Sequence, residues 1–148
     1  MQPEVFPMMP SISVITLAVA DLERAVRFYR DGLGWPTRGI VGSELPYGAV
    51  AFFELSGGLK LALWPQTSLN HETGVDAEGG ASLPRALLSH NVSTPERVAE
   101  LLAKAIEAGA RCVRAPYRPV WGGWVAFFAD PDGHLWEIAW NPAFHSGE

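Results

Sequence analysis

Four histidines, one cysteine and a carboxylate set in an apolar run are the groups in this 148-residue chain best equipped for chemistry. Cys112 stands alone, so it forms neither an internal disulfide nor a thiolate zinc site, and a reducing, cytoplasmic setting is expected. His71, His90, His134 and His145 fall at no spacing that puts two of them on one metal. Glu137 shares its strand face with Leu135 and Ala139, and a carboxylate among apolar groups is costly unless it serves something. It is therefore the candidate polar anchor or general base. His134 has the opposite parity. In the run 85–92, Leu87, Ser89 and Asn91 share one face, while His90 shares the other with Leu88 and Val92. That pattern reads His90 as a core imidazole with a hydrogen-bonded tip, packed under a helix.

Aromatic residues supply the second kind of chemistry. Trp64, Trp121 and Trp124 are candidate ligand contacts, the last two flanking Gly122 and Gly123 at a strand start, whereas the parity of Trp136 and Trp140 assigns them to packing. Thr16, Ser89 and Asn91 are hydroxyl and amide donors for a substrate carbonyl. Asp130-Pro131-Asp132-Gly133 lacks the further acids of a calcium loop and is expected to be a hairpin turn. Tyr117, with Arg114 and Arg118, reads as a solvated, proline-flanked loop.

These groups need a folded frame, and the composition provides one. With 48% hydrophobic, 18% charged and 11% aromatic residues, the chain is expected to form one domain over 1–148 and to bury about two-thirds of its unfolded surface. A net charge of −5 with scattered basic residues argues against a nucleic-acid partner. Ile12–Ala20 is too short an apolar run for a membrane span, and Met1–Pro10 carries prolines and an acid where a signal peptide has positive charge.

The frame is duplicated. Val50-Ala51-Phe52-Phe53 recurs as Val125-Ala126-Phe127-Phe128, and the same offset pairs Gly58 with Gly133 and Leu63 with Ile138. Upstream, Val14–Val19 leads into a helical pattern at 21–29, as Leu87–Val92 does at 94–102. Asp21 and Thr94 are N-cap types, Pro95 suits a first helical position, and Gly34 and Gly109 suit left-handed C-caps. Strands are expected near 12–20, 37–42, 48–55, 59–64, 85–92, 111–114, 122–129 and 134–140. The modules are 11–64 and 85–142, joined by a connector, 65–84, long enough to act as a lid or swapped linker.

Two βαβββ units, with Asp-Leu-x-Arg-Ala-Val-x-Phe-Tyr-x-x-x-Leu-Gly-Trp at 21–35 and Asp-Pro-Asp-Gly-His-Leu-Trp-Glu at 130–137, resemble the vicinal oxygen chelate superfamily of glyoxalases, bleomycin resistance proteins and extradiol dioxygenases. The stretch from Trp121 to Pro142 is most similar to its glyoxalase-like branch. The resemblance implies an α+β fold whose two curved sheets form a barrel-like cleft around a divalent metal held by up to four side chains. Carried onto this chain, the four ligand positions are Val14, Ala62, Leu87 and Glu137, of which only Glu137 has a lone pair to offer. Thr16, Ser89 and Asn91 share the cleft face with these positions, and Trp64, two residues after Ala62, faces the cleft as well.

The expectation is a small-molecule binding protein without a metal cofactor, and by analogy a homodimer. Two alternatives stand beside it. One is a metal-dependent lyase, isomerase or dioxygenase using Glu137 with a relocated His90. The other is a drug-sequestering protein.

Overall fold

A computed structural model describes residues 10–73, 86–119 and 122–142. The apolar run Val14–Val19 forms β1, and Asp21 then caps α1, Leu22–Val26, its carboxylate accepting from the Arg24 backbone N–H at 3.1 Å. From Arg27 to Gly32 the helix widens into a π-turn, with the Leu33 N–H bonded to the Phe28 carbonyl at 2.9 Å, where the sequence suggested an ordinary helix. Phe28 and Tyr29, consecutive in that turn, are both buried. β2 (Thr37–Val41), β3 (Val50–Glu54) and β4 (Lys60–Pro65) complete a sheet of order β1-β4-β3-β2, in which β1 and β4 run parallel.

The second half repeats the plan with β5 (Leu87–Asn91), α3 (Glu96–Glu107), β6 (Arg111–Tyr117), β7 (Trp124–Ala129) and β8 (Leu135–Trp140), in the order β5-β8-β7-β6. The chain is thus an α+β fold of two tandem modules. Two expectations are corrected. The connector begins as a helix, α2 (Gln66–Thr73), and its remainder, 74–85, lies outside the described residues. Arg114 and Tyr117 belong to β6, because that strand continues through two register shifts where a loop was expected.

One face of each sheet carries the larger apolar side chains, and these merge into one core. Leu17, Val19, Phe53 and Leu63 come from the first module, Phe128, Trp136 and Ile138 from the second, with α1 and α3 supplying Ala25, Val26, Val98 and Leu102. Aromatic rings cross the boundary: Phe28 lies 6.5 Å from Phe128, Tyr29 lies 6.2 Å from Trp136, and Trp35 meets Trp136 edge-on at 5.7 Å. Gly32 sits at a close approach of the two modules, since a Cβ there would fall 2.3 Å from Ala108 Cβ.

The Asp130–Gly133 segment is the expected hairpin turn, and it also ties the modules together. Asp130 Oδ1 accepts from the backbone N–H groups of Asp132 and His134 at 2.9 Å each, while the Tyr29 hydroxyl donates to Oδ2 at 2.6 Å. Asp132 Oδ1 accepts from the Ala20 N–H at 2.8 Å and from the Arg24 guanidinium at 2.9 Å. His134 Nε2 lies 2.7 Å from the Ala18 carbonyl; a carbonyl only accepts, so that nitrogen carries the proton. Among the described residues no helix is long and apolar enough to cross a membrane.

Candidate functional site

With one face of each sheet committed to the core, the opposite faces are left for chemistry. In the second module that face is built around Glu137. Parallel pairing sets Ser89 on β5 beside Glu137 on β8, and the Ser89 hydroxyl donates to Glu137 Oε1 at 2.8 Å. Antiparallel pairing sets Phe127 on β7 at its other side. Tyr117 stacks on Phe127 with ring centroids 6.4 Å apart, and the Arg114 guanidinium carbon lies 3.4 Å from the Tyr117 ring centre. A carboxylate, two aromatic rings and a guanidinium therefore follow one another across three strands. Asn91 is exposed on the same strand face as Ser89, opposite Ala139.

The first module carries the same arrangement with one substitution. Thr16 on β1 pairs with Ala62 on β4, and Ala62 pairs with Phe52 on β3, matching Ser89, Glu137 and Phe127 position for position. Ala62 contributes a methyl where its counterpart contributes a carboxylate. Space opens there: Thr16, Tyr47, Gly48, Val50, Phe52, Ala62 and Trp64 line a cavity of about 230 Å³. Tyr47 reaches it from the turn before β3, with φ of 56°, and stacks on His71 of α2 at 3.8 Å between ring centres. This cavity is lined from the first module, so the expected single concave wall joining Trp64 to Asn91 and Glu137 is not what surrounds it.

The remaining candidates divide cleanly. Trp124 is in register with Trp140 and packs against the core, so it lies on the face opposite Glu137 and is withdrawn as a contact on that surface. Trp121 falls outside the described residues, as does His145. Trp136 is buried, its indole N–H donating to the Tyr29 hydroxyl at 3.0 Å. His90 is on the core-facing side beside α3, in a cavity with Leu101, Lys104 and Trp136. The hydrogen-bonded tip expected of it is absent among the described residues, and so is any path that brings it beside Glu137.

Sequence reasoning passed over Phe52, Phe127 and Tyr47. The first two were within reach, because the repeated Val-Ala-Phe-Phe places them at equivalent positions whose pairing with Ala62 and Glu137 follows from the hairpins. As a metal centre, the four equivalent positions supply one carboxylate and three apolar side chains, with Val14 and Leu87 both exposed. No cluster of three His, Cys, Asp or Glu exists among the described residues, so these residues do not fit the ligand set that the fold implies.

Comparison with known proteins agrees with this architecture. A profile of the Glyoxalase/Bleomycin resistance protein/Dioxygenase superfamily matches residues 11–138. The uncharacterized protein YraH of Bacillus subtilis is 31% identical over 127 residues, covering 84% of this chain and 93% of that protein. The crystal structure of a glyoxalase-related enzyme from Fulvimarina pelagi is similar with a TM-score of 0.78 and 35% identity, over 94% of each chain. A glyoxalase/bleomycin resistance protein/dioxygenase from Nocardioides superposes with a TM-score of 0.72 and 26% identity, over 97% of this chain and 91% of its own.

Proposed function

The chain belongs to the glyoxalase/bleomycin resistance protein/dioxygenase superfamily, and on that premise we propose that it binds a small aromatic or apolar molecule on its open sheet faces without a bound transition metal. The observation that carries this reading is the Ser89–Glu137 hydrogen bond beside the Phe127 and Tyr117 rings. The serine fixes the carboxylate's orientation, and the rings provide a flat apolar surface next to it. A ligand with a planar body and one cationic or hydrogen-bond-donating group suits that pair, Glu137 acting as acceptor. The Thr16–Trp64 cavity offers a second apolar surface of the same kind.

A metal-dependent reaction through Glu137 and His90 is not supported, because the two side chains occupy opposite faces of one sheet. We further propose that the chain works in the cytoplasm as a homodimer. The exposed apolar side chains of Val14, Phe52 and Leu87 on the open faces support a second chain covering them.

The test is a screen of small metabolites and drugs against wild type, Glu137→Gln and Trp64→Phe, read by tryptophan fluorescence and thermal shift. Hits that lose affinity in Glu137→Gln support the reading. Hits indifferent to both substitutions place the site elsewhere.

A further inference from the structure

The internal repeat exposes one residue that neither packing nor the proposed site explains. His90 on β5 pairs with Ile138 on β8, and the equivalent pair in the first module is Leu17 with Leu63. Leu17 and Leu63 are both buried in the core. An imidazole therefore stands where the sister module has a leucine, on the apolar side of the sheet, and it has no hydrogen-bond partner among the described residues. Beside it is a cavity of about 60 Å³, open at one side and lined by Leu33, Trp35, Leu101, Ala105, Phe128, Trp136 and Ile138. Lys104, three residues and so just under one turn after Leu101 on α3, and exposed, closes the rim, with its Nζ 4.0 Å from the position a Cβ would take on Gly34. It too has no ion-pair partner among the described residues.

We propose that this cavity, between the modules and on the opposite face of the second sheet from Glu137, is a binding site for a short-chain monocarboxylic acid. The apolar tail inserts between Trp35, Trp136 and Phe128, and the carboxylate sits at the mouth, where the Lys104 ammonium and the His90 N–H both donate to it. Size restricts the tail to about four to six carbon atoms, given the space that a single water requires. Charge decides the head group: the Lys104 ammonium attracts a carboxylate and repels an alkylammonium, the His90 imidazole can turn an N–H toward the same carboxylate, and an alcohol gains no ionic attraction. The site draws Leu33 and Trp35 from the first module and the rest from the second, so an occupant bridges the two and stabilises their docking.

The experiment titrates ¹⁵N-labelled protein with hexanoate at fixed pH and follows the indole signals of Trp35, Trp64 and Trp136 and the ring signals of His90. Hexanol and hexylamine serve as comparators. Saturable shifts of Trp35, Trp136 and His90, with Trp64 still, are expected for hexanoate alone. Lys104→Gln, a surface change that leaves packing intact, should weaken hexanoate by about tenfold. His90→Leu, which restores the sister module's residue and leaves Lys104 in place, should reduce the preference for hexanoate over hexanol without abolishing it. Glu137→Gln should change nothing, which separates this site from the one on the opposite face. Absence of saturable shifts, equal binding of hexanoate and hexanol to wild type, or shifts confined to Trp64 would overturn the proposal.

Discussion

The Tyr29 hydroxyl donates to the Asp130 carboxylate at 2.6 Å, joining the π-turn of the first module to the β7–β8 hairpin of the second. The same oxygen accepts from the Trp136 indole at 3.0 Å, so one phenol satisfies two buried groups on the opposite module. Asp130 and Tyr29 are both buried, which makes this bond expensive to break.

Tyr29→Phe keeps the ring and removes only the oxygen. Asp130 Oδ2 and the Trp136 N–H then lose their partner together, and a loss of about 2–4 kcal/mol in unfolding free energy is expected. Urea denaturation measures it. A change under about 0.5 kcal/mol would mean that water replaces the hydroxyl without penalty.

The same bond predicts a pH dependence. Burial, reinforced by the negative charge of Asp130 and the hydrogen bond to it, pushes the Tyr29 phenol far above its ordinary value of 10.0. The folded chain thus retains a proton that the unfolded chain gives up, so this contribution is complete below that value and declines as pH rises past it. Thermal unfolding followed into the alkaline range should show wild type losing stability more steeply than Tyr29→Phe. Parallel curves for the two proteins would refute the link.

Gly32→Ala tests the contact between the modules. Alanine ordinarily favours a helical position by about 1 kcal/mol, but here its methyl would fall 2.3 Å from Ala108 Cβ, and overpacking costs about 1–3 kcal/mol. Net destabilisation is expected, with recovery in the double variant Gly32→Ala, Ala108→Gly. Failure of the second change to compensate would show that the strain lies elsewhere.

Elemental analysis of dialysed protein should find no stoichiometric Zn, Ni, Mn or Fe, because Glu137 stands alone among three apolar equivalents. One such ion per chain, lost in Glu137→Ala, would reverse the reading of this face.

Strand periodicity made much of the second module legible from sequence. Ser89, Asn91 and Glu137 fall on one face and His90 on the other because a strand alternates its side chains, and no tertiary knowledge is required for that. Trp124 was read from its place beside Gly122 and Gly123, without the same rule being applied to it. Its face follows from pairing with Trp140 across the hairpin, and Trp140 already counted as core-facing. Tyr47 was beyond reach, since its left-handed backbone belongs to a turn that no pattern marks. The bonds of Tyr29 and Asp132 were hidden for a different reason: they exist only after two modules dock, and local patterns carry no record of docking.

The core shared by the two halves shapes how the chain comes off the ribosome. The first module is finished some sixty residues before Phe128, Trp136 and Asp130 are translated, so Phe28 and Tyr29 emerge without the partners that the second module supplies. During that interval the nascent chain exposes the surface it will later bury, which is when a helper chaperone or a misdirected association would find it.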